Sequence, residues 1–164
     1  MMMERMVKIL MTAGLAVLAA LITIGNIHDP ATNMRFVEHV LSMDTLAPDS
    51  PLAMRAMPIP LFWRIAFWSI VAGEGIATAL FAWGTVELMR ARKSKARVFH
   101  QAKRLFFAGA GCAFLVWFVG FTAVGGEWFA MWQSQTWNGQ QPAFRIIASI
   151  LLVLIFVAQP DAEL

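Results

Sequence analysis

Charged side chains are scarce in this sequence of 164 residues: aspartate, glutamate, lysine and arginine together make up 14%, whereas apolar residues make up 59%. Soluble globular domains carry roughly a quarter of charged residues, so the composition excludes an ordinary water-soluble domain. The mean hydropathy is positive, at +0.64, which is typical of a chain that crosses a lipid bilayer. We therefore expect an integral membrane protein.

The sequence also has a single cysteine and lacks common catalytic motifs. The single cysteine, Cys112, excludes an internal disulfide, and it lies within an apolar run where it indicates no redox compartment. The sequence has no glycine-rich phosphate loop, no nucleophile-elbow serine and no His-x-x-x-His pair. Its histidines lie outside the apolar runs and lack the spacing of zinc ligands. We expect neither a metal nor another cofactor, and an enzyme is the less favoured class.

What the sequence does have is four apolar runs, and a helix needs roughly 20 mostly apolar residues to cross the hydrocarbon core. The predicted spans are residues 7–26, 61–88, 105–126 and 142–159. The fourth is long enough only if it includes Pro142, which a first helical turn accepts; a half-inserted segment is the alternative. The first has the alternative of a cleaved signal peptide, because its apolar run, from Ile9 to Gly25, is preceded by Arg5 and Lys8, but its length favours a retained helix.

Lysine and arginine flank these runs unevenly. Nine lie on one side, as Arg5, Lys8 and seven residues of loop 89–104, and four lie on the other. The positive-inside rule predicts a cytoplasmic loop 89–104, cytoplasmic termini and periplasmic loops 27–60 and 127–141. The net charge of +3 thus indicates topology rather than nucleic-acid binding. Attraction of anionic lipid headgroups by loop 89–104 is a less favoured role. The acidic residues of the C-terminal tail do not enter the positive-inside rule.

The first outer segment is patterned. Asp29 and Pro30 predict a helix start, and the apolar residues among 36–41 fall on one face, so we expect an amphipathic helix on the outer interface. The proline-rich residues that follow, up to position 60, predict an irregular lid. Tryptophans cluster near these outer boundaries, and membrane anchoring explains them better than an aromatic ligand cage does: they are Trp63, Trp68, Trp128, Trp132 and Trp137.

The second outer segment, 127–141, predicts another short interfacial helix, because Trp128 and Trp132 are four residues apart. Asn138 and the glycine after it predict a turn with a positive φ. We expect Glu127 and Arg145, which bracket the segment, to form an ion pair that fixes its two ends.

The main functional candidate is Glu74, within the run SIVAGEGIATA. Counting from Leu61 places it about 20 Å into the helix, near mid-membrane, where a charge costs roughly 2.5 to 3.5 kcal/mol and has to face protein or water, or be neutralised. Small residues four apart around it, such as Gly73 and Ala77, predict close helix packing. With no obvious partner in the chain, three interpretations stay open: an internal hydrogen-bonded residue, a contact to another subunit, or a proton or ion relay.

Two segments carry a resemblance to a known family. HVLSMDT, residues 39–45, and GGEWFAMWQSQTWNGQQPAFR, residues 125–145, together with the four-run layout, resemble the bacterial small integral membrane proteins grouped as domain of unknown function 2165. The resemblance extends over nearly the whole chain. It implies a four-helix inner-membrane protein, and it implies no activity, substrate or catalytic residue.

The sequence therefore predicts an all-α integral membrane protein, one domain over residues 1–164, built as a four-transmembrane-helix bundle with interfacial helices in its outer loops. We expect a multi-pass protein of the bacterial inner membrane. Its favoured function is a non-enzymatic accessory or assembly partner that contacts another membrane subunit, or a second copy, through the small-residue and Glu74 face. The alternative is a small transporter or proton-coupled carrier using Glu74. The other candidate residues are His39, Asp44, Glu127, Trp128, Trp132, Asn138 and Arg145.

A third class, an enzyme that acts on lipids or quinones at the outer interface, is least favoured. It would require acidic and histidine side chains of the outer loops to meet in one pocket. The residues concerned are Glu38, His39, Asp44 and Glu127.

Overall fold

The computed structural model describes residues 2–47 and 49–163, and within them it contains helices and turns but no strand. The predicted domain limits at residues 1 and 164 lie outside this part of the chain. The α-helices are α1 (Met2–His28), α2 (Pro30–Ser42), α3 (Pro60–Ala91), α4 (Ala96–Ala102), α5 (Arg104–Phe114) and α6 (Gln140–Ala158). A π-helical stretch, Leu115–Trp128, continues α5 and is called the π segment below; short 3₁₀ turns lie at Pro51–Arg55 and Met131–Gln133.

Among the described residues, four helices are long and apolar enough to cross a membrane: α1, α3, α6 and the continuous helix from Ala96 to Trp128. The predicted fold class is confirmed. The 19 residues of α6 rise about 28 Å, and Pro142 stands in its first turn as expected. Loop 89–104 is shorter than predicted, because α4 occupies its second half and packs Phe99 into the bundle.

The amphipathic helix of the first outer segment is confirmed as α2. Asp29 caps it: its Oδ1 accepts a hydrogen bond from the Thr32 N–H at 3.1 Å, and this bond holds the pKa of Asp29 below its usual range. The buried face of α2 packs Val37 against Phe67 of α3. The helix ends at Met43, whose φ of 53° is a left-handed cap.

The short helix predicted in segment 127–141 is a single 3₁₀ turn, Met131–Gln133. The segment is instead tied down by burial against α2. The predicted positive φ is at Ala130 (50°) rather than at Gly139 (−94°). Gly139 is required for space, because a Cβ there would lie 2.8 Å from Phe36 Cζ. The buried cluster that holds the segment comprises Val40, Met43, Phe129, Ala130 and Met131.

The helices α1 and α3 pack antiparallel along a stripe of polar pairs, called the α1–α3 seam below. Two of these pairs are formed by threonines. Thr85 donates a hydrogen bond to Thr12 Oγ1 at 3.1 Å, and the Thr23 and Thr78 hydroxyls lie 3.3 Å apart. Buried residues recur at intervals of three or four on α3, the spacing that keeps one side of a helix against its neighbour. They are Phe67, Val71, Glu74, Ala77, Phe81, Gly84, Leu88 and Ala91.

The same helix, α3, also lies very close to α5 and the π segment. A Cβ at Gly84 would lie 2.8 Å from the backbone nitrogen of Phe106, and one at Gly73 would lie 2.6 Å from Val116 Cγ2. The tight bundle predicted from the small residues is therefore present, and these glycines face neighbours within the same chain.

The C-terminal tail is locked into the end of the bundle where both termini lie, called the basic end below. Asp161 follows α6, and its side chain is 1% exposed. Its Oδ1 lies 2.9 Å from Lys8 Nζ, and its Oδ2 pairs with Lys103 Nζ. Both lysine side chains are fully buried, and both also donate to the Gln159 carbonyl, at 3.0 and 2.8 Å. These contacts are called the tail clamp below.

Arg5 joins the tail clamp to the seam. Its guanidinium donates to the Ala162 carbonyl at 3.0 Å, and to the Ser94 and Arg92 carbonyls at 2.6 and 3.1 Å. One buried side chain of α1 thus holds the tail and the end of α3 together. Burial disfavours the charged form of Asp161, but the hydrogen bonds and charges of Lys103 and Lys8 outweigh it and hold the pKa of Asp161 below its usual range.

We predict that Asp161→Asn destabilises the protein by about 3 kcal/mol, because it leaves buried Lys103 without a carboxylate and leaves Lys8 with Glu4 alone, at 3.0 Å. Since the pKa of Asp161 is lowered in the folded state, its contribution is present above about pH 4 and is lost as the pH falls through the folded pKa. Thermal unfolding in detergent between pH 7 and pH 3 measures both effects. The control is Glu163→Gln, an exposed acceptor of the Ala96 N–H; equal losses in the two variants would contradict the tail clamp.

Candidate functional site

A cavity of about 260 Å³ lies at the opposite end of the bundle, where α1, α3, the π segment and α6 meet beneath α2. It is called the Glu74 cavity below. Three polar side chains line it, from three different helices: Asn26, Asn33 and Glu74. Aromatic rings supply much of the remaining wall: Phe36, Phe67, Trp117 and Phe121. Such a site, mostly apolar with a few convergent polar groups, is typical of small-ligand pockets.

Glu74 is held in the wall by α1. Glu74 is 1% exposed, and its Oε2 accepts a hydrogen bond from Asn26 Nδ2 at 2.7 Å. No other described residue donates a hydrogen bond to this carboxylate. The seam thus continues from its threonine pairs to a carboxylate–amide pair at the cavity.

The structure places Glu74 farther from the middle of the bundle than the residue count implies. Asn26 lies in the last turn of α1, so Glu74 is level with the end of that helix. The count from Leu61 overestimates the depth because the first turns of α3 continue past α1 and pack against α2 instead, through contacts such as Phe67 with Val37.

Of the three interpretations of Glu74, the internal hydrogen-bonded residue agrees with its geometry. A partner approaching from the lipid would have to displace α1 to reach it. The small residues around Glu74 also face internal neighbours: Gly73 lies against Val116, and Ala77 is fully buried. Of the surface expected to contact another subunit, the part formed by Glu74, Gly73 and Ala77 is therefore occupied within the chain, whereas Ala79 is exposed. A relay toward the basic end would have to follow the two threonine pairs of the seam.

The chemistry of the Glu74 cavity suits a cation. A carboxylate and aromatic ring faces both attract positive charge, and the attraction is strong where water is excluded. The two amides, Asn26 and Asn33, add hydrogen-bonding groups that orient a ligand. Among the described residues, no group of three histidine, cysteine, aspartate or glutamate side chains is placed to hold a metal ion.

The wider turns of the π segment form one wall of the cavity. Backbone hydrogen bonds there join residues five apart, as between the Phe129 N–H and the Val124 carbonyl at 3.0 Å. Trp117 and Phe121 both point into the cavity from this segment. The π segment thus supplies two of the four aromatic residues of the cavity.

Two of the predicted loop candidates meet outside the cavity. His39 Nδ1 lies 2.7 Å from Asp44 Oδ2, because the left-handed turn at Met43 brings the chain back over the end of α2. The His39 ring stacks on Trp137, with centroids 4.3 Å apart. Within the described part of the chain, neither Glu38 nor Glu127 shares a hydrogen bond or ion pair with this dyad. Of the four side chains that an interfacial enzyme would require, His39 and Asp44 are therefore the two that the structure joins by a hydrogen bond among the described residues.

The other loop candidates described by local contacts are Trp128, Trp132 and Asn138. Trp128 and Trp132 are 55% and 52% exposed, and the Arg55 guanidinium lies 4.8 Å from the Trp128 ring centroid. Asn138 Oδ1 accepts a hydrogen bond from the Gln140 N–H at 3.1 Å, next to the start of α6.

The expected ion pair between Glu127 and Arg145 is wrong, since the ion pairs of the described residues do not include it. The reason is the orientation of α6. Its inward face buries Ala143, Ile147 and Ile150, and this leaves Arg145 exposed on the other side, while Glu127 is exposed at the end of the π segment.

Sequence reasoning missed Asn26, Asn33 and Trp117. A signal for Asn26 was available, because the polar residues of the first run share one helical stripe and a polar stripe in a membrane helix faces protein. These residues are Arg5, Lys8, Thr12, Thr23 and Asn26. Asn33 and Trp117 carry no such signal, since one lies in an exposed-looking amphipathic pattern and the other in a uniformly apolar run.

Comparison with known proteins gives one result. A family model described as "Predicted small integral membrane protein (DUF2165)" matches residues 4–160, which takes in almost all of the bundle from α1 to α6. The resemblance read from the sequence is confirmed. Neither curated proteins nor solved structures give a match to the chain.

We predict that Asn26→Ala costs about 2 kcal/mol of stability, because it removes the hydrogen-bond donor of a buried carboxylate. Combining it with Glu74→Leu is expected to cost about 1 to 2 kcal/mol less than the sum of the single changes. Unfolding of the four proteins of this cycle in mixed micelles measures the coupling. Asn33→Ala is the matched control: Asn33 lines the same cavity but donates to the Asp29 carbonyl, so its cost should add to that of Glu74→Leu. Additive costs for Asn26 as well would contradict the pairing.

Proposed function

We propose a binding function for this chain, which belongs to the family of predicted small integral membrane proteins DUF2165: it holds a small organic cation in the Glu74 cavity. The cation would carry an apolar group and an amine or ammonium head. The head pairs with the Glu74 carboxylate, and the apolar group lies among the aromatic rings.

One observation carries this proposal. Glu74 lines the cavity and is buried, yet Asn26 is the one described residue that donates a hydrogen bond to its carboxylate, and it does so at Oε2. A buried carboxylate ordinarily has several partners, because one left unsatisfied is costly. A cationic ligand in the cavity would supply the second partner at Oε1.

The dimensions limit the ligand. A volume of about 260 Å³ is slightly below the 300 to 1,000 Å³ typical of pockets for drug-sized molecules, so the ligand is small. Four aromatic side chains around one carboxylate resemble the aromatic cages that bind ammonium groups. The absence of charge elsewhere in the cavity lining leaves Glu74 as the group that selects for charge.

We place the protein in the bacterial inner membrane with its basic end in the cytoplasm. This orientation follows from the arginines and lysines at that end, which the positive-inside rule retains in the cytoplasm. The Glu74 cavity would then open near the periplasmic surface, beneath α2.

A carrier function is the second candidate, and the seam favours it. The hydroxyls of Thr78 and Thr85 lie along α3 between Glu74 and the tail clamp, each beside a threonine of α1. A bound cation or a proton moving along the seam would connect the two ends of the bundle. Proteoliposome flux of amine or protons that Glu74→Gln leaves unchanged would dispose of this candidate.

The accessory or assembly role predicted from the sequence stays a separate proposal. Because Glu74 and the glycines beside it contact α1 and the π segment, such a role would need another lipid-facing surface. Recovery of the protein alone after gentle detergent extraction at native expression would count against it.

The binding proposal is tested with hexylamine and its neutral analogue 1-hexanol. Hexylamine is expected to raise the unfolding temperature of the purified protein, since a ligand that binds only the folded state stabilises it. Glu74→Gln should weaken apparent hexylamine binding by about tenfold or more, with little effect on 1-hexanol. Glu127→Gln, which removes an exposed carboxylate, is the control. Equal hexylamine binding by the wild type and Glu74→Gln would overturn the proposal.

A further inference from the structure

A groove of about 820 Å³ lies at the basic end of the bundle, between the last turns of α3, the helix α4 and the first turns of α5. It is called the basic groove below. Its polar part includes Arg90, His100 and Arg104, and its apolar part includes Leu105 and Phe107. The proposed binding function does not involve these residues.

The charge of the basic groove is unbalanced. Arg90 pairs with Glu87, with Nη1 2.9 Å from Oε1, and these two charges offset each other. Arg104 is exposed, and no carboxylate of the described residues pairs with it. Its neighbour in sequence, Lys103, points the other way and is neutralised by Asp161 in the tail clamp. The groove is thus left with a guanidinium free to bind an anion.

The groove also crosses the expected membrane surface. Arg104 is the first residue of α5, and the predicted hydrocarbon span begins at the next residue, Leu105. Phe107 lies farther along the same helix and lines the same groove. A basic part at the headgroup level therefore continues into an apolar part at the level of the acyl chains.

From this arrangement we infer that the basic groove binds an anionic phospholipid of the surrounding leaflet. The phosphate lies at Arg104, with Arg90 beside it, and an acyl chain follows Leu105 and Phe107. A guanidinium binds phosphate oxygens through two parallel hydrogen bonds, and basic pockets on the cytoplasmic side of membrane helices suit anionic headgroups. The volume is in the range of pockets that enclose a small ligand, which fits a headgroup and the first part of its chains.

The experiment compares lipids that differ only in headgroup charge. Protein purified in a mild detergent is titrated with phosphatidylglycerol or phosphatidylcholine of the same acyl chains, and the bound lipid is counted by native mass spectrometry. The wild type is expected to prefer phosphatidylglycerol. Arg104→Gln should weaken that binding by about fivefold, the effect of one basic residue near a membrane surface, and Arg104→Lys should retain most of it.

Lys93→Gln is the matched control, since it removes one positive charge from an exposed residue of the same loop outside the groove. Its effect should stay below about twofold, because an exposed lysine outside the groove contributes only screened, long-range attraction. Equal binding of the two lipids, or equal losses for Arg104→Gln and Lys93→Gln, would overturn the inference.

A third titration uses inorganic phosphate, with thermal unfolding as the readout. We expect phosphate to leave the unfolding temperature of the wild type unchanged at concentrations where phosphatidylglycerol raises it. Equal stabilisation by phosphate, lost in Arg104→Gln, would assign the groove to a soluble anion and overturn the lipid inference. The unfolding temperature of each variant without ligand also checks that it is folded.

Discussion

The antiparallel pairing of α1 with α3 through buried polar side chains is the constraint on which the rest of the structure depends. Lipid tails are as apolar as leucine, so burying apolar surface does little to align two helices inside a bilayer. Polar side chains align them because each one left facing lipid would be costly. The α1–α3 seam has such contacts at four levels, from the Arg5 guanidinium on the Arg92 carbonyl to the Asn26 amide on Glu74.

The same pairing gives the bundle two different ends. At one end it brings Arg5 and Lys8 to the tail, where these two cations and Lys103, the residue before α5, are buried against the Asp161 carboxylate and several carbonyls. At the other end it delivers Glu74 to a cavity with aromatic walls. The buried charges at the basic end are satisfied by the chain itself, through Asp161 and backbone carbonyls. At the cavity, one carboxylate is left with a single hydrogen bond from the chain, and this contrast is why ligand binding is assigned there.

Much of the fold could be predicted from the sequence, because it depends on local properties. Four apolar runs predict four membrane helices, and Asp29 before Pro30 predicts the start of α2. The π segment could not be predicted, because its residues are as apolar as those of an α-helical span and its hydrogen-bond pattern is set by packing. The sequence predicts a glycine at position 139 for the sake of a positive φ, whereas the structure requires it for its small size beside Phe36.

The candidate site was predicted less completely, since it depends on residues far apart in sequence. Glu74 could be identified alone because it is the one charged residue between Ile65 and Val86. Its partner could not, since the rotation and register of α1 against α3 determine which side chain meets it. Asp161 presents the same difficulty: topology rules ignore an acidic tail, and only the folded bundle brings it between Lys8 and Lys103. The stripe of polar residues on the first apolar run was the sequence signal that would have reduced the number of candidate partners for Glu74 and for Asp161.

Disulfide cross-linking in native membranes tests the central claim, the register of the α1–α3 seam, most directly. With Cys112 replaced by serine, the pair Thr23→Cys and Thr78→Cys should cross-link rapidly, because the two hydroxyls it replaces lie 3.3 Å apart and a disulfide requires closely facing β-carbons. The pair Thr23→Cys and Ala82→Cys, which moves the second cysteine about one turn along α3, should not. Faster cross-linking of the second pair, or equal rates for the two, would contradict the register and with it the pairing of Glu74 with Asn26.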